Sequence, residues 1–407
     1  MTLTPGRAAL IFLAFAFTYF LSALLRAVTA TLAPVFSAEL GLRAADLGLL
    51  AGAYFLGFAA MQLPLGRALD RFGPRRTQLV LLAVAVLGCL AFALAPQWLT
   101  LIAARVLIGA GVSACLMAPL TLYRRLFSPA TQLRANSWML MTGSLGMVAS
   151  TLPVQWLLPV LGWRGLFWAL AALLALGIVL TGWLVPRDRV AAAHGAVADG
   201  GYAQIARHPL FAAMAPLGFF MYGGMIAVQS LWAGPWLTRV AQHSAEQAAQ
   251  GLFAINLAML LAFLAWGALM PRLVHWGIDA SRLMAWGLPL PLLVLGVNVS
   301  LGPAAGAAHW ALWCVACTFV SVSQPAVGAA FAPHLAGRAL SAFNLVIFSG
   351  VFCVQWGIGL VVDVLQVLGS TEVDAFRMAL GLLGVCTAAA YAWFLHKRSA
   401  AGGNRSP

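Results

Sequence analysis

The sequence predicts an all-α membrane protein of 12 transmembrane helices arranged as two six-helix bundles. Composition is the first reason: the 407 residues are 63% hydrophobic and 8% charged, with a mean hydropathy of +0.94. A soluble domain would carry about a quarter charged residues. Second, twelve apolar runs long enough to span a bilayer recur along the chain, six on either side of a polar, Ala/Gly-rich stretch at 188–207. Third, 17 of the 23 Lys and Arg residues fall in one set of alternating loops and four (Arg43, Arg164, Arg239, Arg377) in the other. That asymmetry marks cytoplasmic loops.

Taken in order, the first run (8–34) is too long for a signal-peptide core and lacks a convincing cleavage site, so it reads as a retained span. Runs at 47–65 and 78–95 flank a polar stretch, 66–76, expected as a short turn at the water interface. Runs at 98–123, 136–160 and 164–185 complete an N-terminal bundle placed at 1–187. The stretch 188–207 is expected to be a flexible cytoplasmic linker. Runs at 210–237, 248–271, 281–301, 306–331, 339–362 and 375–396 make a C-terminal bundle at 208–398, and 399–407 is left as a cytoplasmic tail. The basic-residue bias puts both termini in the cytoplasm, with the chain in the cell (inner) membrane.

Charge and cysteine usage exclude several classes. The net charge of +13 resides in inter-helix turns, without a basic face interleaved with aromatics, so nucleic acid is not an expected partner. Six cysteines all lie in apolar runs; Cys314 and Cys317 form a Cys-x-x-Cys, but with no other ligand pair nearby they read as packing residues. Neither a metal nor a cofactor is expected. Lysine occurs only at position 397, so the chain has no glycine-rich loop with a phosphate-binding lysine. Trp163, Trp168, Trp310 and Trp313 lie near span ends and read as interface anchors.

The polar stretch between the second and third runs contains Gly66, Asp70, Arg71, Gly73, Arg75 and Arg76. Asp70 near a helix C-terminus is unfavourably placed and needs a cationic or helix-N-terminal partner, which makes the segment look like a conformational latch. This pattern resembles the signature loop of the major facilitator superfamily of transporters. Arg105 followed by Gly109 and Gly111 looks like that family's fourth-helix motif, and Gly162-Trp163-Arg164 with Phe167 is similar to its sixth-helix entry. The fifth run has Gly143, Gly146 and Pro153 but not the full Gly-Pro-Gly-Gly pattern of drug antiporters. Gly267 to Arg272 repeats Gly66 to Arg71 weakly, with Pro271 in the place of Asp70. The resemblance implies two parallel six-helix repeats, with 1–187 and 208–398 rocking around a midplane site.

Arg26 is the most informative single residue, because arginine deep in a span costs ~3 kcal/mol or more and usually faces a bundle interior or wet cavity. Tyr19, Ser22, Arg26 and Thr29 share one helical face. Arg26 followed by Pro34 also resembles organophosphate:phosphate antiporters, where such an arginine faces the substrate anion. Arg105 is expected at similar depth, either as a second anion contact or as a structural clamp on carbonyls of the first helix. None of the ten carboxylates falls in mid-span, so a bound anion would supply counter-charge. Tyr222 and Gln229 (with Trp236) on one face of the seventh run, Asn256 in the eighth, Gln324 in the tenth, and Ser341, Asn344, Phe348 and Gln355 in the eleventh could complete a substrate site.

These features point to a secondary carrier of a small solute, an organic or inorganic anion, working as a monomer in the lipid bilayer, with a coupling ion as a further partner. The alternatives are a carrier of a neutral polar solute or drug, in either direction, and a transporter-like solute receptor. A membrane-embedded enzyme would need clustered histidines and carboxylates, whereas the seven histidines are scattered singly.

Overall fold

A computed structural model describes residues 4–187 and 201–403, and among these no strand occurs. Ten helices are long and apolar enough to cross a membrane, eleven when the bent pair Ala44–Ala60 and Gln62–Phe72 is joined across its 44° bend. Pro129–Ala149 supplies one more. The first four spans are Pro5–Leu40, the bent pair, Pro74–Leu94 and Trp98–Leu126. The fifth is Pro129–Ala149 continued through 152–161, and the sixth is 163–184; the chain turns between them at Gly162, with φ 62° and ψ 170°. The remaining six are Pro209–Val240, Ala245–His275, Ala280–Ala304, Ala307–Ala329, Pro333–Val367 and Glu372–Gly403. This is the all-α, twelve-span membrane architecture that composition and run length predict.

Several local expectations are corrected. The polar stretch 66–76 is not an open turn: helix persists to Phe72 and restarts at Pro74, with Gly73 alone breaking it at φ 83°. Proline is well tolerated at a first helical position, and glycine takes the left-handed conformation at no steric cost, so one residue suffices. Likewise the first helix does not stop at Pro34 but runs through it to Leu40. Pro34 has no N–H to give the carbonyl of Ala30, one turn earlier. Of the 188–207 linker, 188–200 lies outside the described residues, while Gly201–Arg207 is helical. The last span extends to Gly403, into the expected tail. Trp163, Trp310 and Trp313 are core residues and not interface anchors: Trp310 packs edge-on between Trp236 and Trp313, and Trp163 against Phe92. Trp168 is exposed.

By packing, the chain forms two units. Unit 1 holds Met1–Thr29 and Ala53–Val197; unit 2 holds Ala30–Gly52 and Ala198–Pro407. In unit 1 the second and fourth spans meet backbone to backbone, because a Cβ on Gly109 would collide with the Tyr54 carbonyl. This is the physical content of the Arg-then-glycine motif: the glycine brings Arg105, one turn earlier, against the neighbouring helix. Gly143 meets the Tyr19 ring in the same way, seating the fifth span on the first.

Unit 2 includes the connection between the first and second spans with the helix ends beside it, residues 30–52. Asp363 of the eleventh span accepts hydrogen bonds from the backbone N–H groups of Ala44 (3.1 Å) and Ala45 (3.0 Å), both at the start of the second span. Those N–H groups have no acceptor within their own helix, so a carboxylate there acts as a cap. Gly359, one turn before Asp363, permits the approach, since a Cβ would strike the Ala44 carbonyl. Arg239 of the seventh span reaches both Ser37 and Glu372 (3.4 Å). The seventh span itself is irregular, with π-helical turns at Gly218–Tyr222, Val228–Trp232 and Trp236–Val240.

Candidate functional site

Polar side chains inside the spans gather into two clusters, one in each unit. In unit 1 the five predicted residues Tyr19, Ser22, Arg26, Thr29 and Arg105 come together around a sixth, Tyr54. Arg105 is 1% exposed; its Nη1 donates to the Leu25 carbonyl (3.1 Å) and its Nη2 to Thr29 Oγ1 (2.8 Å). Its guanidinium carbon lies 5.2 Å from the Tyr54 ring centroid, within cation–π range. Tyr54, fully buried, donates its hydroxyl to the Ser22 carbonyl (3.2 Å).

Arg26 occupies the accessible end of this cluster. It is half-buried, the Tyr19 and Tyr54 hydroxyls lie beside it, and its guanidinium stands 5.8 Å from the Phe58 ring. Tyr54 therefore bridges the two arginines, taking Arg105 on its ring and Arg26 at its hydroxyl. Two positive groups at one aromatic residue create a local field that favours an anion, and the fork geometry of guanidinium matches carboxylate or phosphate oxygens. Sequence reasoning missed Tyr54. Its one signal was chemical isolation, since Tyr54 and Gln62 carry the only polar side-chain groups in the run 47–65. A second missed element is Gln78, fully buried, which donates to Thr18 Oγ1 (3.0 Å) and ties the third span to the first.

In unit 2 the predicted residues separate into three neutral links. Tyr222 donates to Gln324 Oε1 (3.3 Å), and Gln324 Nε2 donates to Asn344 Oδ1 (2.6 Å), so the seventh, tenth and eleventh spans share one half-buried chain. Gln229 donates to Asn256 Oδ1 (3.0 Å), and both are buried. Gln355, with no exposure, donates to Ser230 Oγ (2.9 Å), while its backbone carbonyl accepts from Trp232 Nε1 (3.1 Å). Tyr222, Gln229 and Trp236 do not point in one direction as a regular helix would have them. Each π-helical turn inserts an extra residue and shifts the phase, so Trp236 is sealed against Trp310 and donates to the Ala305 carbonyl.

At the polar segment, Asp70, Arg71 and Arg76 are exposed and Arg75 is half-buried. Arg75 donates to the Gly182 carbonyl, fastening the third span to the end of the sixth, and Thr77 Oγ1 donates to the Ala68 carbonyl across the bend (3.1 Å). Gly66 faces open space: a Cβ there would meet nothing within 4 Å.

A family model described as the Major Facilitator Superfamily matches residues 15–355. An uncharacterized MFS-type transporter of Mycobacterium tuberculosis is 30% identical over 173 residues, which is 41% of this chain and 29% of that protein's length. Among solved structures, a bacterial homolog of the human lysosomal transporter Spinster, in an inward-facing and unoccupied conformation, aligns with a TM-score of 0.74 at 17% identity, covering 97% of this chain and 98% of the other. A D-xylose-proton symporter aligns with a TM-score of 0.74 at 15% identity, covering 95% and 96%. A nucleoside transporter aligns with a TM-score of 0.71 at 13% identity, covering 96% and 99%. At these identities the structural likeness is one of fold.

Proposed function

The chain belongs to the major facilitator superfamily, whose members are transporters and not enzymes, and from that premise we propose that it is a secondary carrier moving a small anion across the cytoplasmic membrane by alternating access. The observation that carries this reading is the arginine pair joined through Tyr54. Arg105 is sealed by Leu25 and Thr29 and holds its charge in place. Arg26 is the reachable member and the proposed charge partner of the substrate. The Tyr19 and Tyr54 hydroxyls orient its fork, so little ordering is required when an anion arrives. Thr29, which accepts from Arg105, and Ser22, whose carbonyl accepts from Tyr54, are buried and act as positioning residues.

A second reading draws on unit 2. The Tyr222–Gln324–Asn344 chain presents hydroxyl and amide groups of the kind that recognise neutral, oxygen-rich solutes, and the aligned D-xylose-proton symporter and nucleoside transporter point the same way. A thermal-shift screen of the purified protein separates the readings, because a ligand that binds only the native state stabilises it by about 2.7 kcal/mol at a hundred times its Kd. Small carboxylates, phosphate esters or nitrate should raise the melting temperature. Stabilisation by neutral sugars or nucleosides alone would overturn the anion assignment.

Gly66, Asp70, Arg71, Gly73, Arg75 and Arg76 act, in this proposal, as a conformational latch on the cytoplasmic side, where both termini also lie. The helical backbone through Phe72 supports that role. It presents Asp70 and Arg71 at fixed positions on a rigid element, where an open turn would leave them adjustable.

A further inference from the structure

The cup in unit 1 between the start of the first span, the start of the third and the end of the sixth shares Arg75 with the latch proposed above and is otherwise outside that reading. It is an open cleft of about 350 Å³ lined by Arg7, Arg75 and Arg187, by Trp183, and by Gly182 and Leu184 to Pro186. Three arginines line a space of that size, and among the described residues no carboxylate lines it. Arg75 is held by its bond to the Gly182 carbonyl, so at least one of the three is fixed before any ligand arrives. Arg7 and Arg187 are exposed and free to close over a bound group.

Depth identifies the surroundings. Trp183 is 84% exposed, and an exposed indole at the end of a span belongs at the level of lipid headgroups. Arg7, Arg75 and Arg187 all belong to the basic-rich set of loops, so the cup opens at the leaflet that carries anionic lipid. We propose that this cup binds the phosphate of an anionic membrane phospholipid, with Arg75 as the fixed contact, Arg7 and Arg187 as closing contacts, and Trp183 beside the glycerol.

The test uses the full-length protein in detergent and native mass spectrometry with short-chain phosphatidylglycerol, short-chain phosphatidylcholine and inorganic phosphate, each titrated separately. Phosphatidylglycerol should bind well above the other two. Arg7→Gln with Arg187→Gln should weaken it by roughly 25-fold, about fivefold for each basic residue near an anionic headgroup. Arg282→Gln, on the same proposed side but away from the cup, should leave it unchanged. Both cup residues altered are exposed, so the double variant should melt as the wild type does; if it does not, Trp183→Ala is read in its place and should lower lipid affinity severalfold. Equal binding of phosphatidylcholine, equal loss in Arg282→Gln, or full retention in the double variant would overturn the site. Inorganic phosphate binding as tightly as the lipid would overturn the lipid as its source.

Discussion

The polar clusters of the two units solve one problem, polarity inside a bilayer, in opposite ways. Unit 1 buries charge. Arg105 is locked by a carbonyl, a hydroxyl and an aromatic face on helices drawn together at Gly109, so every partner is fixed by backbone packing. Unit 2 buries neutral amides and hydroxyls, linked pairwise across helices, and its seventh span is loosened by three π-helical turns. Magnitudes say why the designs differ. An arginine in mid-span costs ~3 kcal/mol or more if poorly housed, whereas an inter-helix bond between neutral groups contributes only ~0.6 kcal/mol on average. Charge demands a rigid housing, while neutral links can exchange partners at small cost. The comparison teaches that unit 1 is built to hold a fixed electrostatic centre and unit 2 to rearrange.

The contrast can be broken most directly at Arg26. Arg26→Ala should lower substrate affinity by on the order of 2–5 kcal/mol, measured by binding to the purified protein, with the melting temperature close to wild type. Arg26→Lys should keep part of the affinity, because the charge survives and the planar fork does not. Equal uptake of a neutral sugar by wild type and Arg26→Ala would move the substrate assignment to unit 2. Next in size, Arg105→Ala should destabilise the fold by roughly 3 kcal/mol, since two bonds from a charged donor are lost and the Leu25 carbonyl and Thr29 hydroxyl lose a buried partner. Thermal unfolding checks this. An unchanged melting temperature with lost affinity would exchange the roles of the two arginines.

In unit 2, Gln324→Ala removes two neutral bonds and should cost about 1 kcal/mol of stability by the same measurement. A loss as large as that of Arg105→Ala would show that the amide chain is as rigid as the charged cluster, and the contrast would fail. The smallest equilibrium effect is expected outside both clusters. Asp70→Asn should slow transport while keeping affinity within a few-fold; abolished binding in folded protein would end the latch reading.

Much of this architecture was legible in the residues. Spans follow from apolar run length, and the meeting of Arg26, Arg105 and Thr29 follows from helical spacing and rise. What escaped has identifiable causes. Tyr54 lies in a run with no periodic polar face, so nothing in the pattern aims it at Arg26. The seventh span defeats phase arguments because π turns are not encoded by any residue preference used here, and Gln229 and Trp236 consequently serve different neighbours. Trp163, Trp310 and Trp313 lie near span ends by sequence number, yet burial is decided by neighbouring helices that sequence position does not reveal. The helix through Asp70 escaped for a different reason: polar composition suggested a loop, but an extension of a membrane helix into water is polar as well.

The cap that Asp363 provides to Ala44 and Ala45 has a consequence for how the protein is made. Donor and acceptor are separated by 319 and 318 residues, so the second span enters the membrane long before its cap has been synthesised. At roughly 5–20 residues per second the interval is on the order of a quarter of a minute to a minute. Throughout it, those two amide groups can be satisfied only by water and headgroups at the surface, which keeps the start of that helix at the interface. Arrival of the eleventh span then closes the longest loop these bonds define. Chains truncated before Asp363 are expected to carry a second helix that lacks this cap.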